Sequence, residues 1–252
     1  MPVASAQVKS CLLLAGLYAG GDTRVHEPAP CRDHTERMLR GFGYEVVRDG
    51  HWTQLSGGGR LRAQDVEVPA DISSAAFFLV AASITPGADL LLEHVGMNAT
   101  RDGVIHILRA MGADIELVNE RQVSGEPVAD VRVRGSELRG VEVPAHLVAN
   151  AIDEFPALFV AAAAADGCTV LAGAEELRVK ESDRIAAMAA GLTTLGATLE
   201  QTPDGMVITG LAGGAEVFTG GEVDSFGDHR IAMALTMAGA VSRAPVVVRN
   251  CD

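Results

Sequence analysis

The chain has 252 residues, 48% of them hydrophobic, 21% charged and only 4% aromatic, which is apolar enough to bury a core and too apolar for a disordered segment. Its 20 Lys and Arg stand against 33 Asp and Glu, a formal charge of -13, so a nucleic-acid backbone is excluded as the expected partner. No apolar run reaches the roughly 20 residues of a membrane span. The four cysteines, Cys11, Cys31, Cys168 and Cys251, form no C-x-x-C pair and have no neighbouring histidine, so no metal site is expected. The N-terminus places no basic stretch ahead of an apolar run, and the expected compartment is the cytoplasm.

Taken in order, the predicted elements form a repeat. The first unit has an apolar helix at 5–16, a strand at 23–26, a more amphipathic helix at 35–43 and strands at 44–47 and 66–69. The second has a helix at 71–82, a strand at 89–93, a helix at 101–112 and strands at 113–117 and 131–134. The third has a helix at 153–162, a strand at 168–171, a helix at 182–196 and strands at 197–200 and 206–209. A fourth shows a helix at 228–239 and a strand at 246–248. Each apolar helix opens on Ser or Asp, the natural N-caps, and each amphipathic helix ends in a glycine suited to a left-handed C-cap. Pro69 sets an extended crossing between the first unit and the second. The domain expectation follows: residues 1–69 are the last repeat of a first domain, and 70–252 are most of a second, with both ends of the pattern cut short.

The basic residues gather at helix starts. Arg32 precedes the second helix of the first unit, Arg178, Lys180 and Arg184 bracket its counterpart in the third, and Arg230 opens the last helix. A helix start offers unpaired N–H groups and partial positive charge, so cationic side chains there bind anions. Stacked repeats carry equivalent helix starts to one end of the architecture, so these charges should converge. Among them stand Asp153 and Glu181, carboxylates able to act in proton transfer, and the run Asp228-His229-Arg230.

Six segments together resemble one family: Ser5-Ala-Gln7, Arg32-Asp-His-Thr-Glu36, Asp71-Ile-Ser-Ser74, Asp153-Glu-Phe-Pro156, Leu177-Arg-Val-Lys-Glu-Ser-Asp-Arg184 and Asp228-His-Arg-Ile-Ala-Met233. In this order and spacing the chain resembles the 5-enolpyruvylshikimate-3-phosphate synthases, and Ala6 with Leu177 resembles their glyphosate-tolerant subclass. The resemblance implies an α/β fold, an inside-out prism of βαβαββ units in two domains with the active site between them. It implies transfer of the enolpyruvyl group of phosphoenolpyruvate to the 5-hydroxyl of shikimate 3-phosphate, with no cofactor and no metal. Ser5, Ala6, Gln7 and Arg32 would then hold shikimate 3-phosphate. Asp153 and Lys180 would meet the attacking hydroxyl, Arg184, His229 and Arg230 would hold phosphoenolpyruvate, and Glu181 would move the proton at its methylene carbon. The family's leading Lys-Ser and Arg site, its Asn-Ser-Gly-Thr-like loop and its final helix and Lys have no counterpart here. Glu176 replaces an Asn of the common bacterial form. Two alternatives stand beside this reading: the sister transferase acting on UDP-N-acetylglucosamine, which uses a loop cysteine as acid, and a non-catalytic chain that folds, binds or assembles with a missing N-terminal half.

Overall fold

The computed structural model describes residues 1–251, and the chain divides into two compact units. Unit 1 comprises Met1–Pro69 with Gly96–Arg101 and Glu120–Val128, and unit 2 comprises Ala70–Val95, Asp102–Asn119 and Ala129–Asp252. Assigning everything after residue 69 to the second domain therefore misses two returning segments. The side chains explain their place: the Asn98 amide donates to Asp33 at 2.7 Å and to Glu126 at 3.0 Å, and His34 Nδ1 lies 2.7 Å from Glu126. Among the described residues no helix is long and apolar enough to cross a membrane.

In unit 1, helix α1 (Ala6–Gly16) leads to strand β1 (Asp22–His26), helix α2 (His34–Gly41) and strands β2 (Val47–Asp49) and β3 (Trp52–Ser56). The three strands form an antiparallel sheet in the order β1-β3-β2. Leu13, Val25, Leu39, Tyr44, Val46 and Leu55 make its core. The strand expected at 44–47 begins only at Val47. Its first residues hydrogen-bond elsewhere: Tyr44 N–H donates to Leu39 O, and Arg40 Nε donates to Val46 O. Residues 66–69 form no strand, because Pro69 has no N–H and Glu67 N–H donates to the Ser124 hydroxyl.

Unit 2 repeats the plan. Helix α3 (Ile72–Ile84), strand β4 (Asp89–Gly96), helix α4 (Gly103–Ala110) and strands β5 (Asp114–Val123) and β6 (Glu126–Arg134) make one copy, in which Gly96 and the facing ends of β5 and β6 at 120–123 and 126–128 belong to unit 1. After the short helix α5 (Ala145–Val148), helix α6 (Phe155–Ala164), strand β7 (Cys168–Leu171), helix α7 (Arg184–Thr194) and strands β8 (Thr198–Thr202) and β9 (Gly205–Thr209) make the next. Strand β10 (Gly221–Asp224), helix α8 (His229–Ala238) and strand β11 (Val246–Arg249) begin a further one.

The sheets run β4-β6-β5 and β7-β9-β8, the same first-third-second order as in unit 1. A parallel pairing brackets each of α3, α6 and α8, at Ala70 with Val95, Glu142 with Val170, and along β10 with β11. The β5–β6 hairpin turns at Ser124-Gly125, where φ values of 50° and 84° match the twist of the flanking strands. Helices α3, α6 and α8 pack on one another in the middle of unit 2. Of these, α6 is apolar on every side and buried at every position, whereas α8 buries only the face formed by Ile231, Ala234, Leu235 and Ala238. The sheets lie outside this helical core, and β4 alternates exposed and half-buried residues along most of its length. That is the inside-out α/β arrangement that the family resemblance implies.

Candidate active site

The expected site residues fall in both units. Ser5, Ala6, Gln7 and Arg32 lie in unit 1, and Asp153, Lys180, Glu181, Arg184, His229 and Arg230 lie in unit 2.

In unit 1, Ser5 is the N-cap of α1, and its hydroxyl accepts the Val8 N–H at 3.3 Å. Ala6 and Gln7 form the first turn, with Gln7 exposed. Arg32 is half-buried, two residues before α2. The starts of α1 and α2 are held together by the Ser10–Thr35 hydroxyl pair at 2.6 Å and by Lys9 Nζ at 2.7 Å from Glu36. Ser5, Gln7 and Arg32 are thus carried by adjoining helix starts. Arg37 and Asn98 fix the neighbouring Asp33: burial alone would raise its carboxyl, but the hydrogen bonds from these two side chains outweigh it and hold the carboxyl below the usual aspartate range.

In unit 2 three helix starts converge on one guanidinium. Arg184, the first residue of α7, is 1% exposed. Its Nε donates to Asp228 at 2.9 Å, its Nη2 donates to Glu181 at 2.5 Å, and its Nη1 lies 3.6 Å from Asp153 without an acceptor of its own. Asp228 is fully buried and is the N-cap of α8, accepting the Arg230 N–H at 2.9 Å and the Ser182 hydroxyl at 3.0 Å. Burial alone would push the Asp228 carboxyl up; the Arg184 hydrogen bond and charge and the Arg230 amide outweigh it and hold it below the ordinary aspartate value. Arg230 Nη1 donates to the Asp153 carbonyl at 3.1 Å, tying α8 to the entry of α6. Lys180 pairs with Glu176 and lies 3.8 Å from Asp153. His229 opens α8 and is exposed.

Arg178 fixes the loop that carries Lys180 and Glu181, donating to Pro203 O at 2.8 Å and to the Asp183 carboxylate at 2.9 Å. Asp183 in turn caps α7 through the Ala186 N–H at 3.0 Å. Beneath this layer the buried Ser73 hydroxyl donates to buried Glu154, joining the starts of α3 and α6.

The structure therefore brings Asp153, Lys180, Glu181, Arg184 and Arg230 into one network. Sequence reasoning placed Asp228 only as part of a polar run, whereas it is the buried hub of that network. Glu176 and Ser182 were not singled out as partners, since their roles follow from loop geometry alone. Arg184 was expected to face a ligand outright, yet most of its guanidinium is engaged by carboxylates of the chain, leaving Nη1 beside Asp153. Such a constellation presents ammonium and guanidinium groups to an anion, and carboxylates to a proton in transit. Among the described residues no group of His, Cys, Asp and Glu side chains is arranged to hold a metal ion.

The sequence model of the EPSP synthase (3-phosphoshikimate 1-carboxyvinyltransferase) family matches residues 1–252. The 3-phosphoshikimate 1-carboxyvinyltransferase of Methylococcus capsulatus is 64% identical over 251 residues, covering 100% of this chain and 56% of that protein. That of Alkalilimnicola ehrlichii is 65% identical, covering 100% of this chain and 55% of that protein. An EPSP synthase structure from Acinetobacter baumannii superposes with a TM-score of 0.95 at 56% identity, over 99% of this chain and 57% of that one. The chain spans little more than half the length of these relatives, and it belongs to the EPSP synthase family.

Proposed function

We propose that this chain supplies much of the active site of an enolpyruvyl transferase that joins phosphoenolpyruvate to the 5-hydroxyl of shikimate 3-phosphate and releases phosphate, within the shikimate pathway of aromatic amino acid biosynthesis. The observation that carries the proposal is the cationic and acidic network of unit 2, in which Lys180, Arg184 and Arg230 surround Asp153 and Glu181. Ser5, Gln7 and Arg32 hold shikimate 3-phosphate in this reading, and Arg184 Nη1, Arg230 and His229 receive the carboxylate and phosphate of phosphoenolpyruvate. Asp153, with Lys180 beside it, takes the proton of the attacking hydroxyl as its oxygen bonds to the central carbon. Glu181 delivers a proton to the methylene carbon. Removal of a proton from that carbon then restores the double bond as the bond to phosphate breaks. Two anions held side by side and a proton moved in each direction need positioned charges and no cofactor. The compartment belonging to this proposal is the cytoplasm. The remaining part of the enzyme, which the relatives carry and this sequence does not, completes the site.

The sister activity on UDP-N-acetylglucosamine requires an acidic loop cysteine. Cys31 is the cysteine beside a site residue, and burial together with its hydrogen bond to Glu27 raises its thiol to about 11, a poor acid near neutral pH. The test offers the chain, completed with the relatives' remaining segments, phosphoenolpyruvate and either acceptor. Phosphate release with shikimate 3-phosphate alone is expected. Release with UDP-N-acetylglucosamine would overturn the assignment.

A further inference from the structure

Unit 1 contains a second ionic cluster that no proposed catalytic step uses. Lys9, one turn into α1, is fully buried and faces two buried carboxylates, Glu27 at 3.2 Å and Glu36 at 2.7 Å. Burial pushes the Lys9 ammonium toward neutrality, but the hydrogen bonds and charges of Glu36 and Glu27 outweigh it and keep the group above its ordinary value. Glu27 also accepts from Cys31 twice, from the backbone N–H at 3.2 Å and from the thiol at 2.8 Å. Arg48, partly exposed, also lies 3.7 Å from Glu27, but the three buried ions stabilise a fold weakly, since apolar side chains of similar volume do as well or better. What the cluster does have is position. Lys9 follows Ser5 and Gln7 on α1, Glu27 closes the loop that ends at Arg32, and Glu36 sits in the first turn after it.

We propose that Lys9, Glu27 and Glu36 are positioning residues: they clamp the 27–33 loop between α1 and α2 and so fix where the backbone of Arg32 stands relative to the start of α1. The substrate side of this inference rests on reading Ser5, Gln7 and Arg32 as ligands of shikimate 3-phosphate. The clamp itself does not.

The test separates the two. Lys9→Met alone leaves two carboxylates buried against each other and is expected to unfold unit 1. The neutral triple variant Lys9→Met/Glu27→Leu/Glu36→Leu removes every charge and leaves no buried ion unpaired. Amide exchange on the chain itself is expected to rise about tenfold or more at Ala29, Arg32 and Asp33 in this variant, while the β1-β3-β2 sheet keeps its protection within about twofold. Unchanged exchange in the loop, or an equal rise in loop and sheet, would overturn the clamp. Glu36→Gln, which keeps the shape and drops one charge, carries the same readout if the triple variant does not fold. In the completed enzyme the variant should raise the KM for shikimate 3-phosphate about tenfold and leave kcat within about threefold. An unmoved KM would remove the clamp from substrate positioning. A wild-type completed enzyme that binds no shikimate 3-phosphate would instead sink the functional reading, and the exchange result would still decide the clamp.

Discussion

Helix α1 of unit 1 and helix α6 of unit 2 hold the same place in the repeat, but α1 carries Gln7, Lys9 and Ser10 where α6 is apolar throughout, and they meet different surroundings. All ten residues of α6 are buried against α3, α8 and the sheets. On α1, Val8, Leu12 and Leu14 are 49%, 42% and 48% exposed, and only Lys9, Leu13 and Gly16 are buried. The enclosure of a helix therefore follows both from its own apolar composition and from the repeats gathered around it. Where three copies meet, the helices close a core. Where one copy stands with its sheet, half of its apolar surface faces outward, an area that calls for a partner surface.

The polar interactions differ between the units in the same way. Unit 2 buries Arg184 and Asp228 where three helix starts converge, while unit 1 buries Lys9, Glu27 and Glu36 between two helix starts and one loop. Breaking the first of these should have a large effect. Asp228→Ala leaves the Arg184 guanidinium buried without its main partner and removes the cap of α8, so it should cost unit 2 about 3–5 kcal/mol in denaturant unfolding. A loss below about 1 kcal/mol would mean that water reaches Arg184.

The helix comparison itself can be broken by a pair of truncations. Phe77→Ala in α3, where the ring is buried, should cost about 3–5 kcal/mol. Leu12→Ser on α1 should change stability by no more than about 0.5 kcal/mol. Equal losses would show that α1 is already covered, for instance by self-association.

Acid sharpens the polar half of the comparison. The carboxyls of Asp228, Asp33 and Glu27 all lie below their ordinary values of 3.8, 3.8 and 4.5. In each case burial opposes the shift, and the hydrogen bonds and charges of neighbouring groups prevail. The unfolded chain therefore binds protons that the folded chain does not, so the stability these groups contribute is complete above the ordinary values and is lost as pH falls through the lowered ones. A thermal scan should show both units melting earlier below about pH 4, with a plateau above it. A flat profile down to pH 2 would contradict the assigned pairings.

The smallest effect concerns the thiols. Cys31, held to Glu27 and raised to about 11, should alkylate with iodoacetamide at pH 8 far more slowly than the exposed Cys11, Cys168 and Cys251. Mass spectrometry of the time course reads the order directly.

Much of this architecture is legible in the residues. The apolar helices announce themselves by Ser and Asp caps and by the absence of a polar face, and the repeat gives the first-third-second strand order its regularity. Strands such as β3 and β10 were missed because Trp52–Ser56 and Gly221–Asp224 are short and polar, and their pairing partners rather than their own patterns make them strands. The 44–47 segment misled in the opposite direction, since its apolar residues enter the core while its backbone bonds go to α2 and its flank. Among the site residues, Asp153, Lys180, Glu181 and Arg184 were visible as charged groups at helix starts. The hub role of Asp228 was not, because burial by a neighbouring repeat leaves no mark at the position itself. Pro69 marks a crossing in the chain, but the return of residues 96–101 and 120–128 to unit 1 depends on Asn98 and Glu126 finding Asp33 and His34, a match at long range that no local pattern encodes.

The most direct test of the proposal is phosphate release from shikimate 3-phosphate and phosphoenolpyruvate, measured with the chain alone and with the relatives' remaining segments added in trans, with Glu181→Gln as the control. The account predicts no release from the chain alone, release once the added segments bind, and a fall of about 10²-fold or more with Glu181→Gln. Release by the chain alone, or silence from a complex shown to have formed, would contradict it.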